Sequence, residues 1–160
     1  MLQLLTGVSA MKARTGNGSA SAGASEPAIE EFDALILWAM RQWMRAHKER
    51  CCATGSLLEA FEFSGLVAAL APLNRMMTLL TLASRRELAI ATTPAATISI
   101  DELVLLRILN AARHRQQDLV ESRLGMWMEA TGAAATAQAA LHLAGTIYRT
   151  STRPADAMQA

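Results

Sequence analysis

Ile98-Ser99-Ile100-Asp101-Glu102-Leu103 carries a helix start in each of its decisive positions. Ser99 stands where a side-chain oxygen accepts from the backbone N–H three residues on. Glu102 stands where a carboxylate returns a bond to the N–H of Ser99, the reciprocal arrangement called a capping box. Ile98 and Leu103 occupy the two positions of a hydrophobic staple. Leu103 to Leu106, Ile108 and Leu109 follow, so the helix is apolar over most of its girth and is expected to be deeply buried.

The helical period continues on both sides. Upstream, Ile29, Phe32, Ile36, Met40, Trp43 and His47 recur at three- and four-residue steps and give one stripe of a first helix over about 27–50. Glu30, Glu31 and Asp33 near its start and Arg41, Arg45, Lys48 and Arg50 near its end complement the helix dipole. Leu35, Leu37 and Trp38 widen the stripe, which makes this helix either central to the domain or part of a subunit interface. A second helix is expected to start at Ser56, capped with Glu59, and to bury Leu58, Phe61, Leu66, Val67 and Leu70. Pro72 ends it or opens a third helix running to about Glu87, with Arg85 and Arg86 at its C-terminal end. The segment 88–98, broken by Thr92-Thr93-Pro94, reads as a loop.

Downstream, a break near 114–117 precedes a fifth helix over about 119–129, with Asp118 and Glu121 as its capping pair. Its stripe is Val120, Leu124, Trp127 and Met128. Thr131-Gly132 reads as a turn. In the last helix, over about 133–149, Ala133, Ala137, Ala140 and Ala144 form a smooth ridge that a neighbouring backbone can approach closely. Residues 1–25, which include TGNGSASAGAS at 15–25, are too poor in apolar area to offset the entropy of ordering and are expected to be a disordered tail. The expected fold is an all-α compact bundle of five to six mainly antiparallel helices over 26–150, with a frayed terminus at 151–160.

Composition narrows the function classes. Apolar residues make up 52% of the 160-residue chain, rich in Ala, Leu and Met, the best helix formers. A core of this size needs no metal or disulfide to hold it. The formal net charge is +1, from 15 basic and 14 acidic residues. So even a balance lacks the electrostatic footprint of a dedicated nucleic-acid binder, and low net charge eases self-association. The longest apolar stretch, 65–83, is interrupted by Pro72, Asn74 and Arg75, so no membrane span is expected. The first residues carry no basic group ahead of their short apolar run, unlike a signal peptide.

The polar residues form no catalytic pattern known for its spacing. His47, His114 and His142 make no H-x-x-x-H, H-E-x-x-H or E-x-x-H, and no cofactor is implied. His114, Asp118 and Glu121 would share a face if one helix ran through them, giving a candidate metal or general-base cluster. Glu59 and Glu62 are the best-spaced carboxylate pair, but at the start of a helix they read as dipole partners. Cys51-Cys52 cannot staple distant segments and suits a reducing cytoplasm. At the end of a helix the dipole opposes a thiolate there, so the pair reads as ordinary thiols. Arg107, Arg113, Arg115 and Arg123 on two successive helices suggest a helix-turn-helix that binds DNA, although the turn lacks the usual Gly. Trp38, Trp43, Trp127 and the methionines suggest an apolar ligand pocket, or simply core.

The leading expectation is a non-enzymatic protein that acts through protein–protein interaction as a homodimer, with Leu37, Trp38 and Met44 as the candidate interface. The DNA-binding regulator and the binder of a small apolar ligand are the alternatives.

Overall fold

The computed structural model describes residues 31–52, 54–92 and 97–151. The expected tail at 1–25 lies outside the described residues, as does the expected frayed terminus beyond Ser151. The chain divides into two units, Met1–Ile36 and Leu37–Ala160. Of the first, the described part is the opening of one helix, residues 31–36.

Six α-helices follow one another: α1 (Glu31–Glu49), α2 (Thr54–Phe63), α3 (Leu70–Ala83), α4 (Ile100–Arg113), α5 (Gln117–Leu124) and α6 (Ala130–Ser151). A 3-10 turn, Val67–Ala69, leads into α3. Among the described residues there is no strand, and the fold is the expected all-α bundle. Within the second unit, α6 packs against α3, α4, α5 and the 3-10 turn. The alanine ridge explains why so many neighbours share one helix. Ala133, Ala137, Ala140 and Ala144 are all buried, and Leu143 and Ile147 fill the gaps between them. Leu105, Leu106, Ile108 and Leu109 of α4 are buried as their spacing requires. So are Val120 and Leu124 of α5; Trp127 and Met128 are buried too, but from the connection after α5, which ends at Leu124 and not near 129.

Three helix ends close by the same device. After α1, α2 and α4 the chain steps into the left-handed region at Arg50 (φ 54°), Gly65 (φ 67°) and Arg115 (φ 56°). In each case the next N–H bonds back over five residues: Cys51 to Ala46, Leu66 to Phe61 and Gln116 to Ala111. These are Schellman closures, which satisfy carbonyls that the helix leaves open. Gly65 adopts this conformation freely. Arg50 and Arg115 do so against the crowding of their own Cβ, which disfavours it by about 1–2 kcal/mol.

Several boundaries differ from the sequence reading. The second helix does not start at Ser56 or run on to Pro72. It starts at Thr54, so Ser56 is not its N-cap, and the left-handed Gly65 ends it at Phe63. Pro72 opens α3, in the first turn where a missing N–H breaks no helical bond. Helix α3 ends at Ala83, ahead of Arg85 and Arg86, because Ser84 turns extended and pairs with Met128. Helix α5 starts after Gln116, with no side-chain cap from Asp118 or Glu121. Thr131-Gly132 is not a turn but part of α6.

Gly132 has a packing reason to be glycine. A Cβ there would lie 2.9 Å from the Ala83 Cβ, closer than two such atoms can sit. Ala83 has no flexible end that could yield, so the start of α6 can meet the end of α3 only without that carbon. Gly132→Ala is expected to lower stability by about 1–3 kcal/mol through overpacking, despite alanine's better helix propensity. The measurement is urea unfolding, where the midpoint should fall with the slope unchanged.

Candidate functional site

The capping box at the start of α4 forms as the residues dictate. The Ser99 Oγ accepts from the Glu102 N–H at 3.1 Å, and Glu102 Oε2 accepts from the Ser99 N–H at 2.8 Å. The structure adds a second set of partners to the same carboxylate. Arg41 of α1 donates through Nε to Glu102 Oε1 at 2.7 Å and through Nη2 to Oε2 at 2.9 Å. The same guanidinium reaches the Thr97 carbonyl at 2.8 Å, and the Ala91 N–H donates to Glu102 Oε1 at 3.1 Å. Glu102 is 0% exposed and Arg41 8%, so this is a buried, two-pronged ion pair.

Asp101 repeats the theme one residue earlier. Arg86 donates to its two oxygens at 2.8 and 2.7 Å, and the Ala89 N–H donates to Oδ2 at 2.7 Å. The Ser99 hydroxyl bonds the Ala89 carbonyl. Together the first turn of α4 gathers Arg41, the 85–91 segment and Thr97. Leu88 and Ile90 of that segment are buried.

The charges follow from these contacts. Burial alone pushes the Glu102 carboxyl up. Arg41 and the N–H groups of Ser99 and Ala91 outweigh it, and the net direction is below the usual carboxylate range. The Arg86 guanidinium holds Asp101 below that range as well, against burial and with help from the Ala89 N–H.

Two surface clefts flank the end of α1, and His47 lines both. One, of about 490 Å³, is bounded by Met44, Lys48, Leu80, Ser84, Arg85 and Leu88 among others. Its cations have partners: Lys48 pairs with Glu87, Arg85 with Glu129 and Arg86 with Asp101. The other, of about 440 Å³, is bounded by Trp43, Cys51, Cys52, Thr54, Leu57 and Asn74 among others. Trp43 stacks on His47 with ring centres 5.1 Å apart, and its Nε1–H donates to Asn74 Oδ1 at 2.8 Å.

The residues singled out in the sequence are mostly scattered. Leu37 and Met44 of the candidate interface are buried within the chain and Trp38 is half-buried. Arg107, Arg113 and Arg115 are exposed and Arg123 is half-buried. Arg107 and Arg113, six residues apart on α4, point about 120° from each other, and Arg113 lies over the Tyr148 ring. His114, Asp118 and Glu121 do not lie on one continuous helix, because Arg115 breaks it. Glu121 accepts from Gln117 instead. Among the described residues no group of three or more His, Cys, Asp or Glu side chains is placed to hold a metal ion. Glu59 and Glu62 are exposed, and they lie in the later half of α2, not in its first turn. Trp127 is buried under Arg86, and Trp43 lines the second cleft.

Large apolar side chains are exposed, although spacing puts Leu82 in the stripe of the third helix and Met126 among the methionines of a core or pocket. Leu82 is 77%, Ile100 79% and Met126 63% exposed. Leu82 and Met126 flank the one pairing between the α3 and α5 ends, and Ile100 opens α4. Leu82 is two residues from Ser84, whose pairing partner Met128 is two residues from Met126. Ile100 adjoins Asp101, which holds Arg86. Helical spacing alone had marked none of them as surface residues. The signal that finds them is the extended Ser84–Met128 pairing, which has no period in the sequence.

No family model, no curated protein and no solved structure matches this chain. No helix among the described residues is long and apolar enough to cross a membrane.

Breaking the Arg41–Glu102 pair from one side should leave a buried, uncompensated carboxylate. Arg41→Met is expected to lower stability by about 3–5 kcal/mol. Adding Glu102→Gln, which keeps an acceptor for the Ser99 N–H and removes the charge, should restore part of that loss in urea unfolding. The pH dependence follows from the same contacts. Both carboxyls titrate lower in the folded chain than in the unfolded one, where carboxyls titrate near ~4. The unfolded state therefore binds more protons as acid is added. Stability should hold from neutral pH down to about 5 and decline below about 4 as the folded carboxylates take up protons, checked by thermal unfolding across pH.

Proposed function

We propose that this protein acts through protein–protein contact rather than catalysis, and that its partner is a second copy of itself. The observation that carries the reading is the exposure of three large apolar side chains at helix ends, Leu82 at the end of α3, Ile100 at the start of α4 and Met126 just after α5. Exposed side chains of this size are ordinary when scattered, but gathered together they mark an interaction surface. The ionic groups beside them support the same reading. Arg85 pairs with Glu129 and Arg86 with Asp101, so the rim around the apolar groups is polar yet locally neutral. With a formal net charge of +1, two copies repel each other little. Leu37 and Met44 belong to the interior and Trp38 is half-buried, and in this reading the contact shifts from α1 to the α3–α4 and α5–α6 connections. Two exposed, unbonded cysteines support a reducing, cytoplasmic setting.

Light scattering after gel filtration tests this directly. The expected mass is twice the 17.2 kDa of the single chain. The double variant Leu82→Glu, Met126→Glu should run as a folded monomer with unchanged circular dichroism. A wild-type monomer at high micromolar concentration would refute self-association. A dimer indifferent to the double variant would refute this surface.

A further inference from the structure

Cys51 and Cys52 stand in a different electrostatic setting from the one their place after α1 suggests. They follow the left-handed Arg50, so the chain has already turned away from the axis of α1. Cys52 lies just ahead of α2, whose first residue is Thr54. Its Sγ is 3.1 Å from the Thr54 Oγ1, and the Thr54 backbone N–H also bonds the sulfur. The thiol donates to that hydroxyl, and once the hydroxyl turns its proton to the sulfur, it and the N–H at the helix start both favour a thiolate. They hold the Cys52 thiol below its ordinary range, the hydroxyl more strongly than the N–H. Cys51 is placed differently: its S–H donates to the Glu49 carboxylate at 3.8 Å. Both sulfurs are exposed, free, and on the wall of the same cleft of about 440 Å³, beside the stacked Trp43 and His47.

We propose that Cys51 and Cys52 form a thiol–disulfide exchange site for a low-molecular-weight disulfide, in which Cys52 attacks and Cys51 resolves. In the first step the Cys52 thiolate attacks one sulfur of the small disulfide. A mixed disulfide forms and one small thiolate leaves, taking up a proton from water. In the second step the Cys51 sulfur, after losing its proton to solvent, attacks Cys52 and displaces the second small thiolate. The protein loses two protons and two electrons, and the small disulfide is reduced to two thiols. The ring between neighbouring residues is strained. Adjacent Cα atoms lie about 3.8 Å apart, below the roughly 4.4–6.8 Å that a relaxed disulfide spans. Strained, exposed disulfides are the readily reduced ones, so the site returns to the dithiol when small thiols dominate. The cycle is reversible and needs nothing beyond the cell's own thiol pool.

The test incubates the reduced full-length chain with excess oxidised glutathione at neutral pH, followed by intact mass and peptide mapping. Wild-type protein should accumulate the form lighter by two hydrogens, and reduced glutathione should reverse it. Cys51→Ser should stop at one glutathione adduct on Cys52. Cys52→Ser should take its adduct on Cys51 about threefold or more slowly, because Cys51 lacks the Thr54 contacts that favour a thiolate at Cys52. Thr54→Val in the Cys51→Ser background should slow the Cys52 reaction toward the Cys51 rate. Wild-type protein that keeps stable adducts without closing the ring would overturn the proposal. So would equal rates in the two single-cysteine variants.

Discussion

A buried carboxylate that serves two structures at once is the constraint on which this bundle turns. Glu102 closes the N-terminus of α4 through Ser99, and with the same two oxygens it holds the guanidinium of Arg41. The two tasks are not independent. A charge at 0% exposure persists only if its lone pairs are used, and the capping N–H, the Ala91 N–H and Arg41 together use them. Burying Glu102 is therefore possible only when α1, the 85–91 segment and α4 have all arrived. An apolar contact in its place would tolerate small sliding motions. A two-pronged ion pair with fixed hydrogen bonds does not, and it sets the register of α1 against α4.

Asp101 and Arg86 extend the same principle to a stretch without regular structure. The segment after α3 makes one pairing, Ser84 with Met128, and then no ladder of its own. Its N–H groups still need acceptors. Asp101 supplies one to Ala89 and Glu102 one to Ala91. The acidic start of α4 thus acts as a stand-in for a neighbouring strand, and Leu88 and Ile90 reach the interior on the backbone it anchors. On the other side, the alanine ridge of α6 and Gly132 at its start let neighbouring helices come close. Ionic anchoring at one point and close approach along another divide the work of fixing the bundle.

That division bears on function. The ionic groups of the junction are used up inside the chain, which leaves its apolar side chains as the groups that water does not satisfy. The thiols lie elsewhere, in the short link between α1 and α2. There the end of one helix and the start of the next give two adjacent sulfurs unequal surroundings: a carboxylate beside Cys51, and a hydroxyl with an N–H beside Cys52. Neighbours in sequence become chemically distinct because they belong to different helix ends.

The sequence by itself determined whatever depends on spacing along one helix. The cap at Ser99, the alanine ridge of α6, the buried Val120 and Leu124 of α5, and the all-α class all follow from periodicity and local hydrogen bonding, whereas Trp127 and Met128 are buried from the connection that follows α5. Tertiary structure decided what depends on which helix end meets which. Arg41 reads as one more cation near the end of a helix, until α4 places an acid against it. Gly132 reads as a turn until Ala83 occupies the space its Cβ would need. Arg50 and Arg115 hide two helix closures, because arginine gives no sign of a left-handed backbone. Cys52 reads as the tail of α1 until the chain reverses and makes it the entrance to α2. Periodicity is a property of one segment, whereas an ion pair sixty-one residues apart, a missing methyl and a reversed dipole are properties of two segments in contact.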